Sequence, residues 1–152
     1  MVQLISSSKI LKSTESFKSR NFVFALIDNF SLLSFAGAVD ALRIANRVAP
    51  HSYTWSITSE TGNAVSCSAN IGYNVDNSFL ELGRDDTIIL CGGVDIQVAT
   101  TKRLLNWLRR EARKGVKMVA LCTASYSLAK AGLLNGKKAT IHWENQDSFS
   151  EE

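Results

Sequence analysis

Two hydrophobic patterns alternate along this chain: short unbroken apolar runs, and longer segments with an apolar residue at every third or fourth position. The unbroken runs have strand length, which is typical of parallel strands buried on both faces. They predict strands at 22–27, 87–91 and 116–121, and alternation predicts another at 53–58. Helical spacing predicts helices over 32–48, 101–114 and 124–131. This alternation predicts an α/β fold, a flavodoxin-like doubly wound, mostly parallel sheet with helices on both faces.

Polar residues and glycines mark the ends of these elements. Ser31 is placed to cap the first helix, and Gly115 and Gly132 are placed to end the later two. Residues 65–75 are predicted to form short strand pieces. The first helix is apolar on more than one side, which fits either a helix deep in the core or a helix covered by a partner chain.

Composition bounds the domain organisation. A chain of 152 residues with 45% hydrophobic and 20% charged residues is long enough for one domain with its own core. The Ser- and Lys-rich residues 1–20 are expected to form a disordered arm, and residues 21–152 the domain. No apolar run has the length of a membrane span, so no membrane partner is expected.

Charge and cysteine content exclude several classes of site. The net charge of +3 is too small to indicate a nucleic-acid surface. A basic run is interpreted as a solvated helix end, stabilised by the helix dipole, and not as a phosphate site. Its members are Arg109, Arg110, Arg113, Lys114 and Lys117. Three cysteines without close spacing argue against a disulfide framework or a metal site and favour the cytoplasm.

Cys122 occupies the most informative position in the chain. The apolar run 116–121 ends there and a helix begins at once, so the turn is predicted to be strained and to need small neighbours such as Ala120 and Ala124. The sulfur would lie above the carboxyl edge of the sheet, beside helix amides that favour the thiolate. Cys67 and Cys91, by contrast, are predicted to be core residues.

Gly92 and Gly93 follow the strand 87–91, at the edge where open α/β sheets bind ligands. Glycines there let backbone amides approach an anion or a carbonyl closely, although a plain turn would use them too. We interpret the pair as part of a site.

Residues 120–124 and 131–143, which read ALCTA and AGLLNGKKATIHW, resemble the ThiJ/PfpI superfamily of class I glutamine amidotransferase-like proteins. They are most similar to the amino-terminal domain of AraC-family transcriptional regulators, and the resemblance covers about residues 22–143. It implies a Cys/His pair, with His142 lying 20 residues after Cys122, and a carboxylate on the first helix. That position holds Ser34, which cannot carry a negative charge. Asp28 and Asp40 are the possible substitutes.

The resemblance also implies a function: a domain that binds a small-molecule effector at a former catalytic pocket, without a cofactor. Cys122 and His142 would then be vestigial catalytic residues. The effector is expected to be an amine or amino-acid derivative, with the Trp143 ring available to a cationic group. The expected partners are a second copy of the domain and, through a carboxy-terminal helix-turn-helix domain absent from this chain, DNA. The expected ligand-binding residues are Ser34, Gly92, Gly93, Cys122, Thr123, His142 and Trp143.

Two alternatives remain open. The first is a cysteine-dependent enzyme of the superfamily, similar to a glyoxalase, a deglycase or an isonitrile hydratase. Thr123 disfavours a peptidase, because the peptidase-like branch has histidine after its cysteine. The second alternative is a redox sensor, since an exposed thiolate of low pKa oxidises readily. The resemblance also implies that the domain continues past Glu152, so we expect the chain to be a fragment.

Overall fold

The computed structural model describes residues 19–142. The strands are β1 (Arg20–Leu26), β2 (Tyr53–Ser59), β3 (Val65–Ser66), β4 (Gly72–Tyr73), β5 (Asn77–Ser78), β6 (Thr87–Cys91) and β7 (Lys117–Leu121). The helices are α1 (Leu32–Val48), α2 (Ile96–Ala99), α3 (Lys102–Lys114) and α4 (Ser125–Lys130), and a 3-10 turn, Cys122–Ala124, precedes α4.

The main sheet has five strands in the order β5-β2-β1-β6-β7, and all its pairs are parallel. β3 and β4 form a separate antiparallel pair. Because the strands of the main sheet are parallel, the carboxyl ends of β1, β2, β6 and β7 meet at one edge. Candidate site residues therefore gather there from segments far apart in the chain.

Apolar side chains on alternate positions of the strands fill a core on each face of the sheet. On one face, Phe24 and Leu26 pack with Phe35 of α1. On the other, Val23 and Ala25 pack with residues of α3 and α4. Helices thus cover both faces, which confirms the predicted doubly wound fold.

The helix ends follow the predicted capping residues. The Ser31 side chain accepts a hydrogen bond from the Ser34 amide at the start of α1. Thr101 caps α3 in the same way, so that helix begins at Lys102. Gly115 ends it with φ of +88°, a left-handed conformation that glycine adopts without strain.

The interpretation of α1 as a deep core helix is wrong. Phe35 is its one fully buried residue, whereas Leu33 and Val48 are 85% and 87% exposed. The apolar side away from the sheet therefore faces solvent in this chain. Covering of that side by a partner chain stays a prediction.

Two short elements were not predicted, α2 and β5, which have four and two residues. Arg20, the last residue of the predicted arm, is the first residue of β1, and residues 1–18 lie outside the described residues. Within residues 19–142, no helix is long and apolar enough to cross a membrane.

Candidate functional site

The turn from β7 into α4 has the strained geometry that the sequence predicts. Cys122 has φ of +57°, a left-handed conformation that is costly for a residue with a Cβ. Its side chain is half-buried, whereas Cys67 and Cys91 are buried in the core, as predicted. Burial raises the pKa of the Cys91 thiol to about 12, so this thiol stays protonated. Cys122 is therefore the accessible thiol among the three.

The two glycines after β6 are required by close packing. A Cβ on Gly92 would lie 2.7 Å from the Ala124 nitrogen, and one on Gly93 would lie 2.0 Å from the Asn29 carbonyl oxygen. Backbone hydrogen bonds from Ser31 to Gly92 and from Val94 to Asn29 hold these segments together. The pair is thus more than a plain turn, because it joins the loop after β1 to the turn Cys122–Ala124 between β7 and α4, which we call the elbow.

Thr123 links the elbow to the same glycines. Its Oγ1 donates a hydrogen bond of 2.7 Å to the Gly93 carbonyl, and the side chain is 5% exposed. The structure therefore brings together four of the predicted site residues, Gly92, Gly93, Cys122 and Thr123.

At the position on α1 where the resemblance implies a carboxylate, the chain has Ser34. The Ser34 hydroxyl lies 3.1 Å from the Ser31 hydroxyl, within the cap of α1. Asp40 is exposed and bonds Arg43 at 2.6 Å, and this guanidinium lowers the pKa of the Asp40 carboxyl. The hypothesis that Asp40 substitutes for the missing carboxylate is therefore wrong. Asp28 is exposed and lines a different cavity.

The segment that carries His142 returns to the elbow helix. Ser125 lies three residues after Cys122, and Thr140 lies two residues before His142. The Ser125 Oγ donates a hydrogen bond of 2.6 Å to the Thr140 carbonyl. The His142 side chain is half-buried. Its pairing with the Cys122 thiol stays a prediction, and Trp143 lies outside the described residues.

Arg109 of the basic run anchors the far end of the elbow helix. Its Nε and Nη2 donate hydrogen bonds of 3.0 Å to the carbonyls of Ala131 and Lys130, respectively. A cation here satisfies carbonyls that a helix leaves unpaired at its carboxyl end. This residue thus has a structural role that the interpretation as a solvated helix end missed.

Glu111 is a buried carboxylate that sequence reasoning also missed. Its side chain is fully buried, accepts a hydrogen bond from the Leu82 amide, and bonds Arg110 and Lys114. The available signal was its position, three residues after Leu108 on the apolar stripe of α3. Burial of a carboxylate is tolerated because these donors replace water.

A cavity of about 480 Å³ lies at the carboxyl ends of β1 and β2. Its charged lining residues are Asp28, Glu60 and Asp95, and the rest of the lining combines apolar side chains with the uncharged polar residues Asn29, Ser59, Thr61 and Thr101. Of the predicted ligand-binding residues that the structure describes, none lines it. Separately, no group of three His, Cys, Asp or Glu side chains within residues 19–142 is placed to hold a metal ion.

The sequence is similar to those of a transcriptional regulator and of an enzyme. The chain is 38% identical over 133 residues to the HTH-type transcriptional regulator CdhR of Pseudomonas aeruginosa, covering 88% of this chain and 40% of the regulator. It is 28% identical over 129 residues to an isonitrile hydratase of Pseudomonas putida, covering 82% of this chain and 53% of that enzyme. The chain thus spans less than half the length of the curated regulator.

The fold is also similar to that of a transcriptional regulator. A crystal structure of an AraC family transcriptional regulator from Pseudomonas putida superimposes with a TM-score of 0.70 at 27% identity, covering 87% of this chain and 71% of that one. The sequence profile of the DJ-1/PfpI family matches residues 20–152. The chain therefore belongs to the DJ-1/PfpI family.

Proposed function

We propose that this chain is the effector-binding domain of an AraC-type transcriptional regulator, and that it holds a small metabolite at the elbow without turning it over. The single observation that carries the proposal is the Ser34 hydroxyl, which contacts Ser31 at the position where the resemblance implies a carboxylate. Similarity to CdhR and to the AraC family regulator structure supports the regulatory half of the proposal.

The chemistry of cysteine hydrolases explains why one missing acid matters. Such an enzyme needs a thiolate, a base oriented by a third group, and donors for an oxyanion. On α1, Ser34 occupies the position where the resemblance implies that orienting carboxylate, and its hydroxyl cannot carry a negative charge. The Cys122 thiol, the Gly93 backbone and the His142 imidazole are the proposed contacts for a bound molecule.

The remaining parts of the proposal concern partners. The effector is an amine or an amino-acid derivative, the domain acts as a homodimer in the cytoplasm, and DNA is contacted by a separate domain of a longer regulator. A mild net charge of +3 on this chain agrees with DNA contacts made elsewhere.

Thermal unfolding with and without ligand tests the proposal. The probes are the twenty amino acids and a series of primary to quaternary alkylamines, added to the 152-residue chain. A probe present at 100 times its Kd should stabilise the folded state by about 2.7 kcal/mol. Cys122→Ala should keep this stabilisation, because the proposed role of the thiol is contact and not reaction. No stabilisation by any probe would contradict an amine or amino-acid effector.

The second candidate is an enzyme, and the strained Cys122 together with the similarity to an isonitrile hydratase favours it. Steady-state turnover of isonitriles or 2-oxoaldehydes decides between the two. Turnover by the wild type that disappears in Cys122→Ala would replace the sensing proposal. The redox alternative predicts a peroxide-dependent mass increase confined to Cys122.

A further inference from the structure

The cavity at the ends of β1 and β2 is a separate site from the elbow. Three loops form it: the residues after β1, those after β2, and the segment 95–101 between β6 and α3. Its volume of about 480 Å³ lies within the range of small-molecule pockets. The elbow lies at the ends of β6 and β7, on the other side of β1 from β2.

The charge of the lining is of one sign. Asp28, Glu60 and Asp95 contribute three carboxylates, and among residues 19–142 no Lys, Arg or His lines the cavity. Glu60 is held in place, because its Oε2 accepts a hydrogen bond from Thr101 Oγ1. Thr101 is itself fixed as the N-cap of α3, where its Oγ1 accepts from the Leu104 amide at 3.0 Å. A fixed carboxylate attracts a cation without the entropy cost of ordering the side chain first.

More than half of the residues that line the cavity are apolar. Leu26, Phe79 and Leu104 line the cavity, and Val98 lines it while remaining 86% exposed. A bare divalent cation is disfavoured, because within residues 19–142 no group of three His, Cys, Asp or Glu side chains is placed to hold a metal ion. An organic cation matches both parts of the lining, since its charge pairs with a carboxylate and its carbon atoms contact the wall.

We propose that this cavity binds a small organic cation of the alkylammonium class, independently of the elbow. Glu60 supplies the main charge, Asp28 and Asp95 add to the negative potential, and the apolar wall contacts the alkyl part. The inference goes beyond the proposed function and does not rest on it, because it concerns binding at a second place on the sheet edge.

Titration calorimetry of the 152-residue chain tests the charge preference with three molecules of equal chain length: butylammonium, 1-butanol and butyrate. Butylammonium should bind at least about tenfold more tightly than 1-butanol, since a charge pair near a protein surface is worth about that factor. Butyrate should not bind. Equal binding of the cation and the alcohol would overturn the proposal.

Glu60→Gln locates the charge and should weaken butylammonium binding about tenfold. The matched control is Glu81→Gln, which removes the same charge from a side chain that is 80% exposed and bonded to Lys114. The control should bind as the wild type does. Equal weakening in both variants would show a general effect of net charge and would overturn the proposal.

A second pair of variants keeps the test informative if Glu60→Gln does not fold. Val98 is exposed, so Val98→Lys and Val98→Asp leave the core intact. Lys should weaken butylammonium binding and Asp should strengthen it, each several-fold. Unchanged butylammonium binding in both Val98 variants would place the cation elsewhere on the chain and would overturn the proposal.

Discussion

The elbow and the cavity lie at the same edge of one sheet and are built in opposite ways. At the elbow, backbone segments pack directly against each other. There is no room for a Cβ on Gly93, and the Thr123 hydroxyl donates a hydrogen bond to the Gly93 carbonyl. At the cavity, side chains surround an open space, and Glu60 is the carboxylate that a hydrogen bond holds in place. The elbow is thus a packed junction with little charge, and the cavity is a negatively charged space with looser packing.

This difference separates two effects of mutation. Substitutions at the packed junction should change the free energy of unfolding, whereas those around the cavity should change binding and leave stability nearly unaltered. Two comparisons of side-chain size and polarity test that contrast, and a third concerns backbone strain, which the two regions share.

Gly93→Ala should have the largest effect. The new Cβ would meet the backbone oxygen of Asn29 at 2.0 Å, so β6 and the loop after β1 must separate. We expect a loss of more than about 3 kcal/mol in the free energy of unfolding, or failure to fold. Chemical denaturation measures it.

The control for this change is Gly37→Ala, on the exposed side of α1, where an added Cβ meets nothing within 4 Å. It should stabilise the protein by about 0.5–1 kcal/mol, because alanine favours the helix. If both variants had the same stability, close packing at Gly93 would be excluded.

Thr123→Val should have an intermediate effect. It keeps the shape of the side chain but removes the donor to the buried Gly93 carbonyl, which should cost about 1–3 kcal/mol. Thr61→Val is the partner at the rim of the cavity, where the Thr61 hydroxyl is exposed and accepts one weak bond from Asn63. Its effect should stay within about 0.5 kcal/mol in urea denaturation. The reverse order of the two variants would refute the contrast.

The smallest effect concerns backbone strain. Cys122 and Asp95 both have a positive φ, of 57° and 55°. Cys122→Gly should be more stable than Cys122→Ala by about 1 kcal/mol, because glycine adopts this conformation without strain. Asp95→Gly should likewise be more stable than Asp95→Ala by a similar amount in the same thermal unfolding assay. Equal stability of Gly and Ala at position 122 would show that the elbow is unstrained.

The same contrast explains what the sequence predicts and what it does not. The elbow is a local signal: an apolar run, a cysteine and a helix adjoin within residues 116–131, so its strain could be predicted from spacing alone. β1, β6 and both long helices follow in the same way, since their periodicity lies within each segment.

The cavity has no such signal. Glu60 and Thr101 are 41 residues apart, and only the sheet order brings their loops together. The four-residue α2 is too short for a helical period to appear, and its residue before the first turn, Asp95, makes no capping bond with its side chain. Glu111 was missed for a different reason. A carboxylate is normally predicted to be exposed, and its burial can be recognised only when its hydrogen-bond donors, such as the Leu82 amide, are known.

Helix α3 connects the cavity to the far end of α4, the helix that follows the elbow. Thr101, before its first turn, bonds Glu60 of the cavity, and Arg109, two turns later, bonds the carbonyls that end α4. At 13 residues the helix is about 20 Å long and rigid on that scale. Any coupling free energy that α3 transmits is reciprocal. If a ligand bound at Glu60 changes the affinity of the elbow for its ligand by some factor, a ligand bound at the elbow changes the affinity at Glu60 by the same factor.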